Sequence, residues 1–341
     1  MSTPGSVVQR ALVLVDASPA AAMQLLAPYL ASEPDDPMAL CVAAQAMLKL
    51  AKPTEALRMS QRAASLSPSD DWPLRLQALA MHQLDRNWDA QNLARHSVAV
   101  NPNVWQTHYM VGCADLWAEA VTPHSQAAAE KARELAPDEP RTHELVGQIA
   151  LAMGRSKVAV TSFENALRLD PDDAVAQHEL ARAHFRRMRI GKSLQGFLAV
   201  GRMDPSIKQT RINLHNVFIR ATLFLHYAVF LAALLSRPAP VVSAILLAAF
   251  AIGVLLWARY RGGPALLRFA RGLWSRDKLL VTWAGLASTA GVLIIVRPLL
   301  SIGHAQTGNP PPHSGILTVA LLMLVAGVAV SWIRRGRVRP D

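Results

Sequence analysis

Six prolines at a nearly constant spacing are the feature that most constrains how this chain can fold. They recur every 34 residues, with one interval of 35, at Pro34, Pro68, Pro102, Pro137, Pro171 and Pro205. Most of them stand in similar local sequences, among them SLSPSD, ELAPDE and RLDPDD. A period of this length indicates a supersecondary unit that buries its apolar face only by stacking on its neighbours. Because proline cannot continue a helix, each one is expected just past the last helix of its unit.

The residues between the prolines keep the same register. In the unit spanning 140–173 the register positions are Val146, Gly147, Ala159, Phe163 and Ala166. Other units place small or aromatic residues at the same offsets, namely Ala44, Ala56 and Ala63, then Ala78, Ala90 and Ser97, then Ala181, Ser193 and Phe197. The unit between Pro102 and Pro137 holds one extra residue. This pattern resembles the tetratricopeptide-repeat family, whose helix–turn–helix units are 34 residues long. The resemblance covers about residues 3–207 and implies an all-α helical solenoid of about six units.

The charge of the chain changes sharply between its two parts. The net charge of +11 at pH 7 would suit nucleic acid binding if it were spread over the chain. However, residues 1–210 carry 21 Lys/Arg and 22 Asp/Glu, whereas residues 211–341 carry 14 and 2. All of the excess charge therefore lies among the apolar segments of the second part, as in loops beside membrane helices, so we expect no nucleic acid partner.

Four apolar segments in the second part have the length of membrane spans. They cover residues 217–236, 241–258, 279–296 and 315–333. A helix of about 20 apolar residues crosses roughly 30 Å of hydrocarbon. We therefore predict a tetratricopeptide-repeat domain over residues 1–210, followed by a membrane domain over residues 211–341 with a bundle of about four transmembrane helices. Small residues four apart, such as Ala287 and Gly291, suit close packing of helices, either within this bundle or between two copies of the chain.

The basic residues between the predicted spans set the expected orientation. Thirteen Lys/Arg fall on one side of the spans, and only Arg237 and Arg297 fall on the other. The positive-inside rule places the richer side in the cytoplasm, together with both termini. The N-terminal sequence has no long apolar core behind a basic region, so we expect no cleaved signal peptide. The Ala- and Arg-rich composition suggests a bacterial plasma membrane, which the chain would cross several times.

Residues 265–276, between the second and third spans, form an amphipathic pattern. Apolar residues including Trp274 share one arc of a helical projection, and Arg268, Arg271 and Arg276 occupy the other. Such a helix can lie in the headgroup layer and contact anionic lipids, which makes these four residues candidates for lipid contact. The same pattern is also compatible with a cytoplasmic loop that is merely helical.

Motifs of catalysis, metal binding and cofactor binding are incomplete in this sequence. Gly191-Lys192-Ser193 resembles the end of a phosphate-binding loop, but the required earlier glycine is replaced by Arg186, so we interpret the tripeptide as a turn between repeat helices. His178-Glu179 lacks the second histidine of a zinc-protease helix, because Arg182 stands in its place. The two cysteines, Cys41 and Cys113, form neither a disulfide framework nor a zinc motif. We therefore expect no enzyme activity, no metal and no cofactor.

The remaining function is recognition of a protein or peptide partner. By the family resemblance, the first helix of each unit lines the binding surface. The partner-binding residues expected there are Trp72, Arg75, Glu144, His178, Arg182, Phe185 and Arg186. The last unit is locally basic and could face either an acidic peptide or the anionic membrane. We thus expect a membrane-anchored scaffold that recruits a partner to the cytoplasmic face. The alternative is a subunit of a membrane enzyme or transporter that uses the repeats for docking.

Overall fold

The computed structural model describes residues 4–203, 208–235 and 278–305, together with the shorter pieces 245–246, 248–249, 252, 319–320, 322–328 and 330. It divides into two compact units, Met1–Glu179 and Leu180–Asp341. The boundary between them falls within one helix, and each unit is described below by itself.

All the regular secondary structure of the described residues is helical. The longer helices are α1 (Pro4–Ala17), α2 (Pro19–Ser32), α3 (Pro37–Lys49), α4 (Pro53–Leu66), α5 (Trp72–Gln83), α6 (Asn87–Val100), α7 (Trp105–Trp117), α8 (Pro123–Leu135), α9 (Pro140–Ala152), α10 (Ser156–Leu169), α11 (Ala174–Arg186), α12 (Ile190–Met203), α13 (Lys208–Leu235) and α14 (Lys278–Ala305). The periodic prolines from Pro34 to Pro171 lie in the turns between successive helix pairs, as predicted. The chain is thus an all-α solenoid of the tetratricopeptide type.

Small residues let the helices of each pair pack closely. Ala159, Phe163 and Ala166 of α10 are all buried. Gly147 of α9 lies so close to the Phe163 ring that a Cβ atom on it would come within 2.7 Å of the ring carbons. This confirms the predicted role of the glycine: a larger residue at position 147 would push the two helices apart.

The extra residue between Pro102 and Pro137 is accommodated in the turn between α7 and α8. This turn covers residues 118–122, whereas the matching turn between α9 and α10 covers only residues 153–155. The longer turn is held by Asp115, a buried carboxylate that accepts hydrogen bonds from Gln91 Nε2 at 2.8 Å and from Ser125 Oγ at 2.6 Å. Hydrogen bonds to a buried carboxylate compensate for its lost hydration, so the insertion is built into the core of the unit.

The second unit contains two apolar clusters. The first joins Ala181 of α11 and Leu194 and Phe197 of α12 to Leu214 and Val217 near the start of α13. The second joins residues of α13, α14 and the helical piece 319–328, namely Val229, Ala290, Ile294, Ala320 and Leu324. Beside the second cluster, the indole N–H of Trp283 donates a hydrogen bond to Nδ1 of the buried His226 at 3.3 Å.

The predicted membrane spans are only partly covered by the described residues. Counted over those residues, no helix is both long and apolar enough to cross a membrane. Residues 217–235 belong to α13 and residues 279–296 to α14. Most of 241–258 and 315–333, and all of the amphipathic segment 265–276, lie outside the described residues. The span assignments therefore remain predictions.

Candidate partner-binding surface

The first helices of the repeats form one continuous layer in the first unit. Each of α3, α5, α7 and α9 packs against its partner helix and also directly against the next first helix. Residues one repeat apart then fall into rows that run across this layer. One row contains Arg75 of α5, Tyr109 of α7 and Glu144 of α9, which are separated by 34 and 35 positions. We call Trp72, Arg75, Tyr109 and Glu144, with the residues they contact in this layer, the inner surface.

Arg75 is held in a fixed orientation at one end of the inner surface. Its Nε donates to Oδ2 of Asp71, one turn earlier, at 2.5 Å. The other oxygen of Asp71, Oδ1, accepts a hydrogen bond from Asn101 Nδ2 at 2.7 Å. Asp71 is buried, whereas the Arg75 side chain remains 19% exposed. A partly exposed guanidinium that is oriented by a buried carboxylate loses little conformational freedom when it binds a partner.

Trp72, on the first turn of α5, has a mainly structural environment. Its side chain is partly buried and packs against the apolar clusters around α3. The predicted site residue therefore contributes to the core of the unit and exposes only part of its ring.

Glu144 lies in an environment that disfavours its charged form. Burial, followed by the charge of Asp173 and a hydrogen bond to Asp173, raises the pKa of Glu144 to about 8, while Arg141 acts in the opposite direction. Asp173 is fixed at the start of α11, where it accepts hydrogen bonds from the backbone N–H groups of Val175 at 2.7 Å and Ala176 at 3.0 Å. Near neutral pH the Glu144 carboxyl group therefore holds a proton that it shares with Asp173.

Tyr109 connects the two charged ends of the inner surface. Burial is the main cause that raises the pKa of its phenol, and the next contributions come from Cys113, one turn later on α7. The Trp105 ring meets the Tyr109 ring edge to face, with 5.7 Å between the ring centroids. Glu144 also acts on Tyr109 through its charge, so the two side chains are close.

The sequence argument did not select Tyr109, Trp105 or Asp173. The repeat register could have identified Tyr109, because it stands one unit after Arg75. The register gives no signal for Asp173, which lies in a turn and reaches Glu144 only through the stacking of successive units.

The predicted residues of α11 have different surroundings from one another. His178, in the first unit, is buried, while Arg182 is partly buried and Arg186 is exposed in the second unit. Phe185 is covered by α13: the Arg220 guanidinium lies 4.1 Å from the ring centroid. Arg220 Nη1 also donates to the backbone oxygen of Phe185 at 3.4 Å and approaches Met188 Sδ at 3.3 Å. One face of the Phe185 ring is thus already occupied by the chain itself.

Other predicted features meet the structure only in part. The four candidate lipid-contact residues, Arg268, Arg271, Trp274 and Arg276, lie outside the described residues. Among the residues that are described, no group of three or more His, Cys, Asp or Glu side chains could hold a metal ion.

Comparison with known proteins identifies similarity in fold. No protein-family model and no curated protein matches the sequence. The Cut9–Hcn1 hetero-tetramer of the APC/C matches with a TM-score of 0.58 at 12% identity, over 63% of this chain and 43% of that chain. PilF of Pseudomonas aeruginosa matches with a TM-score of 0.50 at 12% identity, over 62% and 95% of the two chains. TTC0263, a thermophilic TPR protein of Thermus thermophilus, reaches 0.49 at 21% identity, over 54% and 100%.

Proposed function

We propose that this chain, a tetratricopeptide-type solenoid, is a non-enzymatic scaffold that binds a protein partner through the inner surface of α5, α7 and α9. Stacked repeats expose long surfaces that suit recognition, whereas chemistry needs a concentrated set of reactive groups. Among the described residues, no specific observation favours the alternative of an enzyme or transporter subunit.

The main support is the arrangement of Arg75, Tyr109 and Glu144 on three successive first helices. Arg75 is positioned by Asp71, and Glu144 is positioned beside Asp173. Helices that pack together lie about 8–10 Å apart, so the two ends of the row are separated by roughly 16–20 Å. An extended segment of about five or six residues spans this distance at ~3.3 Å per residue. We infer that the partner presents such a segment, with an acidic group at Arg75 and a proton acceptor or cation at Glu144.

Capture of partners from the native host by the full chain would test this proposal. Arg75→Glu and Glu144→Lys are expected to abolish capture of the same protein while leaving the helical content unchanged. Arg168→Glu is the matched control, because Arg168 is exposed on the second helix α10, away from the inner surface. The proposal is wrong if the control loses the partner as readily as the two inner-surface variants do.

We also propose that residues 211–341 attach the scaffold to the cell membrane, with both termini in the cytoplasm. The specific support is the side-chain distribution in the second unit. Large apolar residues of α13 are exposed, namely Phe224, Tyr227, Phe230 and Leu231. Their polar neighbours Thr222 and His226 are buried instead. Residues 319–328 follow the same rule, with Leu322, Val325 and Val328 exposed and Ala320 buried. This distribution is the reverse of that in a water-soluble core and suits a lipid environment.

Extraction and topology experiments test the membrane proposal separately from partner binding. Membranes from cells that produce the full chain are washed with alkaline carbonate, and the chain is expected to stay in the pellet. A reporter fused after Asp341 should be active only in the cytoplasm. Release of the chain by carbonate would overturn membrane insertion, whereas an active reporter outside the cytoplasm would overturn only the orientation.

A further inference from the structure

The turn between α11 and α12 gathers positive charge in the second unit. Residues 187–189 link the two helices, and the backbone of Met188 takes a positive φ of 58° there, which reverses the chain direction tightly. Arg187, Arg189 and Lys192 stand in or next to this turn, and the last two are exposed. Three cations within six residues create a positive potential that an anion would neutralise.

The start of α12 adds backbone donors to these cations. Arg189 immediately precedes the first residue of α12, so it occupies the N-cap position. A guanidinium has no hydrogen-bond acceptor, so this side chain cannot cap the N–H groups of the first turn. Gly191 lies in that turn, and its missing side chain allows a ligand to approach the backbone closely. A helix of 14 residues that begins this way attracts an anion to its N-terminus.

Two buried polar side chains next to the turn provide an independent indication of a ligand. His184 is 5% exposed and Ser193 is fully buried. Neither the Nδ1 atom of His184 nor the Oγ atom of Ser193 has a hydrogen-bond partner among the described residues. Burial, followed by the charges of Lys192, Arg189 and Arg187, lowers the pKa of His184 to about 4. All three cations therefore act on the imidazole. A buried polar atom normally has a partner, so these two atoms indicate an occupant that can hydrogen bond.

We propose that the α11–α12 turn binds a phosphate group, held by Arg187, Arg189 and Lys192 and by the N–H groups at the start of α12. A phosphate has the charge that the three cations lack and the oxygen acceptors that the helix N-terminus requires. The neutral imidazole of His184 and the hydroxyl of Ser193 can each donate one further hydrogen bond. The tripeptide Gly191-Lys192-Ser193, which by sequence alone is interpreted as a turn, then contributes to an anion site, although it belongs to no nucleotide-binding loop.

The phosphate can come from two sources, free phosphate or the headgroup of a lipid, and both offer the same chemistry to this turn. The lipid source rests on the proposed membrane attachment, whereas the free source does not. The experiment therefore includes one probe for each source.

The test measures binding of soluble probes to the full chain in an uncharged detergent by calorimetry. The probes are inorganic phosphate, dihexanoyl phosphatidic acid and, as the lipid control, dihexanoyl phosphatidylcholine. The variant Arg189→Gln/Lys192→Gln removes two of the cations. Its matched control is Lys157→Gln/Arg168→Gln, which removes two exposed charges from α10. We expect saturable phosphate binding by the wild type and the control, and binding about tenfold or more weaker in the site variant, because two charge-assisted hydrogen bonds are lost.

A second measurement makes the result specific to this turn. A bound phosphate should raise the pKa of His184, so histidine-labelled protein observed by NMR should show its imidazole titrating at higher pH with the probe present. Binding of phosphatidic acid without binding of inorganic phosphate assigns the site to a lipid headgroup, and binding of both assigns it to phosphate in general. Absence of saturable binding in both phosphate arms, or equal affinity of the two double variants, overturns the proposal. Capture of the protein partner by the site variant keeps this outcome distinct from failure of the scaffold function.

Discussion

At the scale of single residues, Glu144 couples the inner surface to pH. Its pKa in the folded chain, about 8, lies above its ordinary value of 4.5. Between these values the unfolded chain loses the proton while the folded chain keeps it, so stability is complete below about pH 4.5 and falls as pH rises to about 8. We therefore predict that Glu144→Gln weakens this loss of stability.

Thermal unfolding at pH 5 and at pH 8.5 measures the effect. Relative to wild type, Glu144→Gln should be more stable at pH 8.5 than at pH 5, because the amide cannot ionise. Glu164→Gln, an exposed change on α10, serves as the control and should shift both midpoints alike. Parallel curves for wild type and Glu144→Gln would show that the carboxyl group titrates normally.

Gly147 provides a second prediction at the residue scale. A methyl group at this position would approach the Phe163 ring to 2.7 Å, and both residues belong to the packed α9–α10 pair. Overpacking of this kind destabilises a core by roughly 1–3 kcal/mol, so Gly147→Ala should lower the unfolding midpoint in denaturant. Gly201→Ala is the matched control, because no atom lies within 4 Å of its Cβ position on α12. That control should be neutral or gain up to about 1 kcal/mol from the better helix propensity of alanine. An equal effect of both changes would contradict the packing argument.

The sequence predicted the buried residues better than the site. Gly147, Phe163 and Ala166 recur at fixed offsets because every unit must solve the same packing problem. Asp173 and Tyr109 meet Glu144 through contacts between neighbouring units, and those contacts depend on how the units stack. A period in the sequence specifies the face of a helix, but it does not specify which side chains meet across the stack.

At the scale of secondary structure elements, α13 is the helix whose role differs most from the sequence expectation. The sequence treats residues near 217 as the start of an apolar span. In the structure, Leu214 and Val217 are buried with Phe197 of α12, so the first turns of α13 extend the repeat packing. Alternation of apolar residues alone could not separate these two environments, because both call for apolar side chains.

Arg220 fixes this part of α13 through its contact with Phe185. A cation over an aromatic ring contributes about 0.5–2 kcal/mol, depending on its exposure to water. We predict that Arg220→Ala increases hydrogen exchange of the backbone amides in the first half of α13. Arg220→Lys should restore part of the protection, since lysine keeps the charge but loses the planar stacking. The same exchange in all three proteins would mean that apolar packing alone holds the helix.

At the scale of the whole molecule, the place where the chain is divided should decide whether the repeat array is stable alone. A fragment of residues 1–210 keeps α12 but lacks Leu214 and Val217, which pack on it. A fragment of residues 1–221 keeps both. Burial of a large apolar side chain contributes about 1.5–3 kcal/mol, so the shorter fragment should be less stable by roughly 2–5 kcal/mol.

Both fragments should be almost wholly helical by circular dichroism, because the repeat units themselves are complete in each. The shorter one should unfold at lower denaturant concentration and bind more of a dye for exposed apolar surface, since Leu194 and Phe197 lose their cover. Leu214→Ser/Val217→Ser in the longer fragment is the matched control and should reproduce the behaviour of the shorter one. Equal stability of residues 1–210 and 1–221 would place the end of the repeat domain before α13. In that case the first half of α13 would belong to the membrane-proximal part of the chain, as the sequence division at residue 210 proposes.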